Sequence, residues 1–349
     1  MIKATLGEGS TPLVESVSIG KSLRLEALYF KLETCNPSGS YKDRFAAAEM
    51  SRMLNAGVRA CVATSSGNTG SALAAYSARY GVACAIVVNQ HAPAGKLYQM
   101  QAHGARVIRV RDFATEPAVT MQVYDLLAEL SKSEGIPLVV SAYRYCPEGM
   151  AGVESLSEEI ARQAPQRLDH VFVPVGGGGL FTAVCRGFSR PANAKPRVHA
   201  IQPEGCSTVV ASFERGDTKI RPVNSTTGIS GLSVPFDIDG SLALSELRRS
   251  GGFGLAVSDE EVLDAQRLLL GREGIYTEPA GATALAGLLR ARREGRISEA
   301  GTAVCLVTGH GFKDPNSVER AAAQHPAVLT EAGQLKSCLM EAIAHEAGR

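Results

Sequence analysis

Tryptophan is absent from the chain, and aromatic residues make up only 5% of it. Single-stranded nucleic acid is usually held on stacked aromatic faces, so that class of function is disfavoured. An excess of charge is missing too: 36 Lys and Arg stand against 35 Asp and Glu, a formal net charge of +1. This balance argues against a large nucleic-acid or anionic-membrane footprint. No apolar run approaches the ~20 residues that a membrane helix needs, so no membrane partner is expected. The first residues, Met1-Ile2-Lys3-Ala4, carry no signal-peptide core, and a cytoplasmic location is the expectation.

Paired metal-ligand spacings are also lacking. The eight cysteines form no CxxC pair, and the seven histidines show no HxxxH or HExxH. Neither a zinc framework nor a disulfide framework has support, and no metal is expected. Cys61, Cys84 and Cys305 lie in apolar, strand-like runs and read as reduced, buried small hydrophobes. What is present is length and alternation. A chain of 349 residues, 45% hydrophobic, can bury a large core or two domains.

Short β-branched runs alternate with longer amphipathic stretches. Strands are predicted at Leu28–Leu32, Ala60–Ala63, Cys84–Val88, Arg106–Val110, Leu138–Val140, His170–Val175, Val198–Gln202 and Thr302–Val307. Helices are predicted at Tyr41–Asn55, Asn68–Tyr80, Ala94–His103, Pro117–Glu134, after Gly179, and at Ala280–Arg293. Strands separated by helical stretches imply βαβ units, hence an α/β fold with parallel sheets. Ser258-Asp259-Glu260-Glu261 reads as a capping box. Residues 216–254, rich in Ser, Gly, Pro and Thr, read as a long functional loop or flap. Leu329–Ala347 reads as a terminal helix.

Four stretches carry chemistry. In Asn36-Pro37-Ser38-Gly39-Ser40-Tyr41-Lys42 a turn delivers a lysine to a helix start. The helix dipole disfavours a cation there, which favours the free amine used in imine formation; an ordinary solvated lysine is the plain alternative. Thr64-Ser65-Ser66-Gly67-Asn68-Thr69-Gly70 lies between a strand and a helix. It suits a carboxylate at a helix N-terminus, or is simply a capped turn. Gly176-Gly177-Gly178-Gly179-Leu180 follows a strand, and four consecutive glycines fit backbone amides closing on a phosphate. A dinucleotide loop of an NAD-type dehydrogenase, with Glu204 on the ribose, is the rival, although the GxGxxG spacing is broken. Thr308 in Val307-Thr308-Gly309-His310-Gly311 stands where open sheets bind ligands, beyond a strand's carboxyl end.

In this order, and with Gly9-Ser10-Thr11-Pro12-Leu13, Glu278-Pro279-Ala280 and Thr308–Pro315, the motifs resemble the tryptophan synthase β-subunit-like family of pyridoxal-phosphate (PLP) enzymes, fold type II. The resemblance spans residues 10–318 and is greatest to the threonine synthase group. It implies two open parallel-sheet α/β domains with the cofactor in the cleft between them. The larger would be 1–43 with 151–320, the smaller 44–150, and 321–349 a helical tail. It further implies that Lys42 forms the Schiff base with pyridoxal 5'-phosphate and then serves as acid/base. Asn68 would bond the ring oxygen, Gly176, Gly177, Gly178, Gly179 and Leu180 would cradle the phosphate, and Thr308 would face the pyridine nitrogen. Ser65, Ser66 and Thr69 would hold the substrate carboxylate. In Val140–Gly149, the stretch matching the group's substrate-phosphate segment, Ser141 fits the pattern. Cys146 stands in the place of its Arg, with Arg144 two residues away as the candidate cation. The implied partner is a small amino acid, and a homodimer is expected. The implied reaction is elimination or replacement on an activated hydroxy-amino acid such as O-phosphohomoserine. Serine, O-phosphoserine or O-acylserine replacement and serine/threonine dehydration are the alternatives.

Overall fold

Parallel strands buried on both faces read as unbroken apolar runs, and such runs dominate here. The computed structural model describes residues 1–92, 94–113, 116–164, 167–190, 195–299, 301–323 and 325–347. Its strands are β1 (Leu13–Glu15), β2 (Ala27–Leu32), β3 (Ala60–Ala63), β4 (Ala83–Asn89), β5 (Arg106–Val110), β6 (Leu138–Val139), β7 (His170–Pro174), β8 (Arg197–Pro203), β9 (Gly254–Val257) and β10 (Thr302–Val307). They form a six-stranded sheet in the order β1-β2-β10-β7-β8-β9 and a four-stranded sheet in the order β5-β4-β3-β6. Every pairing is parallel except β1 with β2. All residues of β7 and β10 are buried. On β5, at the edge of the smaller sheet, no residue is fully buried.

The mixed α/β fold with parallel sheets agrees with the sequence reading, and most elements fall within two residues of their expected ends. Residues 216–254 differ. They carry a helix, Gly240–Ser250, and β9 begins at Gly254, so the irregular part is confined to about 217–239. Leu244 and Leu247 of that helix are fully buried, so tertiary packing overrides the Gly- and Ser-rich start. Short helices at Ser155–Gln163, Thr208–Glu214 and Pro315–Ala322 also escape the sequence reading. The terminal helix starts at Leu335, and residues 324, 348 and 349 of the expected tail lie outside the described residues. The capping box is formed: Ser258 accepts from the Glu261 N–H, and Glu261 accepts from the Ser258 N–H. Cys61, Cys146, Cys185, Cys206 and Cys305 are buried and free, whereas Cys84, expected to be buried, is only half-buried near the start of β4.

A buried ionic cluster fixes the turn between β2 and the helix Lys42–Asn55. Arg44, 3% exposed, donates to both carboxylate oxygens of Glu33 at 2.7 and 2.8 Å. It donates equally to both oxygens of Glu159, each at 2.7 Å. Lys31 donates to Glu159, Gln163 and the Thr11 carbonyl at 2.7–2.8 Å. Charges removed from water persist only when paired and fully bonded, as here. The cluster ties β2, the Lys42 helix and Ser155–Gln163 into one rigid frame.

Candidate active site

Five strands from the two sheets end at one place. β2 leads to Lys42, β3 to Ser65–Thr69, β6 to Ser141, β7 to the glycine loop and β10 to Thr308. Open α/β sheets bind ligands beyond the carboxyl ends of their strands.

The Lys42 turn is stitched to the end of β10. The Tyr41 N–H donates to the Thr308 carbonyl at 3.1 Å, and the His310 N–H donates to the Gly39 carbonyl at 2.9 Å. From the helix start, the Lys42 ammonium donates to Ser141 Oγ at 2.5 Å. Ser141 Oγ is in turn 2.8 Å from Thr69 Oγ1. The Tyr41 ring lies beneath the Lys42 ammonium, 4.7 Å to its centroid. Asp43, next in the chain, is buried. Burial pushes its carboxyl up to about 6, although the Ser38 N–H and hydroxyl donate to it at 3.0 and 2.7 Å.

Asn68 opens the helix Asn68–Tyr80 and donates from Nδ2 to Glu278 Oε1 at 2.7 Å. Burial pushes the Glu278 carboxyl up to about 7, against the pull of the Asn68 amide and of the Lys313 and Lys96 ammonium groups. Ser66 and Asn68 line a cavity with Lys96, Gln99, Glu278 and Lys313. Ser65 turns back, its hydroxyl accepting from the Gly67 N–H at 3.2 Å.

Two glycines of the loop have no room for a side chain. A Cβ on Gly176 would stand 2.6 Å from the Gly231 carbonyl oxygen, and one on Gly178 2.5 Å from that of Asp239. Gly178 also has φ +98°, which side-chain-bearing residues rarely adopt. A Cβ on Gly179 would meet the Ser141 carbonyl at 3.3 Å, so the loop abuts the segment that carries Lys42's partner. The helix Gly179–Phe188 starts there, with Leu180 buried in its first turn. Asp239 braces the loop. Its N–H donates to the Gly177 carbonyl at 2.9 Å, and its carboxylate accepts from the Tyr143 and Arg144 N–H groups at 2.7 and 3.2 Å.

The structure thus brings Lys42, Thr69 and Ser141 into one hydrogen-bonded chain, with Gly179 beside Ser141 and Thr308 bonded through the Lys42 turn. It does not bring the Arg144 side chain into that chain. Arg144 is exposed, its guanidinium 5.9 Å from the Tyr145 ring, in a separate cavity with Asp237 and Asp239. Cys146 is buried. Glu204, the acid of the dinucleotide reading, pairs with Arg290 at 2.8 Å. Glu278 and Lys313 lie in stretches that carry the family resemblance, Glu278-Pro279-Ala280 and Thr308–Pro315, but the sequence assigns neither a role at the site, and Asp239 carries no local signal at all. Among the described residues, no cluster of His, Cys, Asp or Glu is placed to hold a metal, and no helix is long and apolar enough to cross a membrane.

Comparison with known proteins shows the family. The model of the family described as pyridoxal-phosphate dependent enzyme matches residues 4–309. Threonine synthase from Methanocaldococcus jannaschii is 34% identical over 345 residues, which is 97% of this chain and 83% of that protein. Threonine synthase from Halalkalibacterium halodurans is 33% identical, over 93% of this chain and 88% of that protein. Among solved structures, serine racemase from Dictyostelium discoideum superposes with a TM-score of 0.70 at 27% identity, covering 86% of this chain and 92% of that one. The chain belongs to the pyridoxal-phosphate-dependent enzymes of fold type II, and its cofactor is pyridoxal 5'-phosphate.

Proposed function

We propose that the enzyme acts as a threonine synthase, expelling the phosphate of O-phosphohomoserine and adding water to yield threonine. The residues present fit the cofactor. Its phosphate is a dianion, and Gly176–Gly179, where a Cβ on Gly176 or Gly178 would clash with backbone, leads into a helix N-terminus whose amides and dipole favour an anion. Its aldehyde requires a lysine, and Lys42 stands across Ser141 from that cradle. When bound, the cofactor supplies an electron-accepting ring that makes an amino acid's α-proton removable.

The chain's own residues do the rest. Lys42 carries the cofactor and moves the proton at the substrate's α-carbon. The Ser141 and Thr69 hydroxyls hold its amine and pass protons along the hydrogen-bonded chain. Ser65, Ser66 and Thr69, at the start of the Asn68 helix, bind the substrate carboxylate where the helix dipole favours an anion. Asn68 donates to the cofactor's ring oxygen. Thr308 offers a hydroxyl, without formal charge, to the pyridine nitrogen. Residues 44–150 with the smaller sheet form the substrate-side domain.

The observation that carries this reading is the Lys42–Ser141–Thr69 chain at the meeting point of both sheets, in a protein about one-third identical to threonine synthases. One observation favours a second reading. The exposed Arg144 stands apart from that chain, which suits dehydration or β-replacement on an uncharged serine or threonine derivative. The deciding experiment incubates the PLP-loaded enzyme with O-phosphohomoserine, O-phosphoserine, O-acetylserine, serine and threonine. Inorganic phosphate, ammonia and keto acid are followed separately. Threonine and phosphate from O-phosphohomoserine support the proposal, whereas ammonia and keto acid from serine or threonine alone overturn it.

A further inference from the structure

Glu278 lies 210 residues from Asn68 in sequence, is 7% exposed, and accepts the Asn68 amide N–H at 2.7 Å. We propose that Glu278 is a positioning residue that aims the Asn68 amide at the cofactor's ring oxygen. This rests on the placing of Asn68 against that oxygen in the functional reading above.

An asparagine's terminal torsion is broad and nearly two-fold, so an unrestrained side chain presents oxygen or nitrogen with little preference. Above its raised value of about 7 the Glu278 carboxyl is ionised, and an ionised carboxylate only accepts hydrogen bonds, as the amide oxygen does. Glu278 therefore selects the nitrogen end. One N–H is spent on Oε1, and the second N–H of the same nitrogen is left to donate elsewhere. Turned the other way, Asn68 would set its carbonyl dipole against an electron-rich ring oxygen.

The surroundings hold Glu278 in that task. Its N–H donates to the Gly309 carbonyl at 3.1 Å, and the Thr277 hydroxyl donates to the same carbonyl at 2.7 Å. The backbone that bears the carboxylate is thus anchored to the segment that presents Thr308. Gly309 leaves the space it needs: a Cβ there would stand 2.0 Å from Glu278 Oε1 and 3.1 Å from Asn68 Nδ2. The charged groups acting on the carboxyl are Lys313 and Lys96, which favour its ionised form, and Asp314, which opposes it. Lys313 is itself fixed by donating to Gln99 Oε1 at 2.5 Å, and Lys96 lies 3.9 Å from Asp314.

The test uses the PLP-loaded protein and reads the pH midpoint of the bound cofactor's visible absorption band, not turnover. Glu278→Gln keeps the size of the side chain but no longer selects the nitrogen end. It should displace the midpoint by about half a pH unit or more, in the same direction as Asn68→Ala. Because Glu278 acts through Asn68, the double variant should shift no further than Asn68→Ala alone. An unmoved midpoint in Glu278→Gln, or a double variant equal to the sum of the singles, overturns the inference. Should Asn68→Ala itself leave the band unmoved, the reading of Asn68 fails and takes this one with it. A shift in Asn68→Ala without one in Glu278→Gln removes Glu278 alone. Gly309→Ala crowds the same carboxylate and should shift the midpoint likewise if Glu278→Gln does not fold.

Discussion

Lys42 and Ser141 are borne by different sheets, and their side chains meet at 2.5 Å. Lys42 follows β2 of the six-stranded sheet, and Ser141 follows β6 of the four-stranded one. A hydrogen bond of this kind couples the seating of the reactive amine to the closeness of the two sheets. Ser141→Ala should therefore lower kcat/KM by about 10–100-fold, the loss of one hydrogen bond to a charged group. Lys42→Ala should abolish turnover. Borohydride reduction followed by peptide mapping should tag Lys42 in the wild type and no lysine in that variant. A tag on another lysine would move the site.

The proposed phosphate cradle is tested at Gly178. A side chain there meets the Asp239 carbonyl and imposes a φ of +98° on a residue that disfavours it. The conformational cost alone is about 1–2 kcal/mol. Gly178→Ala should weaken PLP binding by about tenfold or more, read as the dissociation constant from absorbance titration. Gly177→Ala is the control, since a Cβ there meets only ordinary contacts at 3.6–3.8 Å with Val234 and Ile238. Equal affinity in the two variants would remove the steric argument for the loop.

Much of this site was legible in the chain because its parts are local. A glycine run after a strand, a lysine after a turn and small polar residues at a helix start each announce themselves within ten residues. The glycines announce a need for close approach or for a positive φ, and Gly176 and Gly178 meet it. Asp239 does not announce itself, and the Glu278-Pro279-Ala280 motif does not reveal that Glu278 is the partner of Asn68. Their partners lie 210 residues away at Asn68 and 95–96 residues away at Tyr143 and Arg144. Asp239 sits in a stretch that reads as loop, and the helix after it forms because Leu244 and Leu247 find a core. β1 is similarly silent: three residues carry no periodicity, and only antiparallel pairing with β2 makes them a strand.

The Arg44 cluster makes a prediction about acid. Burial by itself would raise the Glu159 carboxyl, but hydrogen bonds and charge from Arg44 and Lys31 hold it at about 2. A carboxyl depressed on folding stabilises the protein above its unfolded value of 4.5, and the contribution fades as pH falls from there to about 2. The stake is on the order of 3 kcal/mol. Urea midpoints should thus fall between pH 5 and pH 3 in the wild type, and fall less in Glu159→Gln. That variant should be destabilised at pH 7 by about 3–5 kcal/mol, because the Arg44 and Lys31 charges stay buried without their partner. Parallel pH profiles for the two proteins would count against the assignment.

Thr308 bears on reaction type. Enzymes that use the cofactor as a full electron sink set an acid against its pyridine nitrogen and keep that nitrogen protonated. A threonine hydroxyl carries no charge, so carbanionic character is stabilised less, and prompt loss of a leaving group is favoured over transamination. Wild-type enzyme should accumulate almost no pyridoxamine phosphate over many turnovers, measured by its absorbance after denaturation. Thr308→Asp should raise that side reaction while lowering elimination. Substantial pyridoxamine phosphate from the wild type would contradict the role given to Thr308.

The leaving group turns on Arg144. A dianionic phosphate calls for charge-assisted donors, and the planar fork of arginine is the strongest of them. Arg144 is the only arginine between Val140 and Gly149, where Cys146 is buried. Its N–H is already held by Asp239, so the backbone beneath the guanidinium is fixed while the side chain is exposed. If it reaches the substrate phosphate, Arg144→Ala should cost about 2–4 kcal/mol of transition-state stabilisation with O-phosphohomoserine, read as kcat/KM. Activity with serine or O-acetylserine should barely change. Arg144→Lys should recover only part of the loss, because an ammonium cannot reproduce two parallel hydrogen bonds. Small and equal effects on both substrate classes would mean that no phosphate is bound there, and would turn the balance toward dehydration or acyl-serine chemistry.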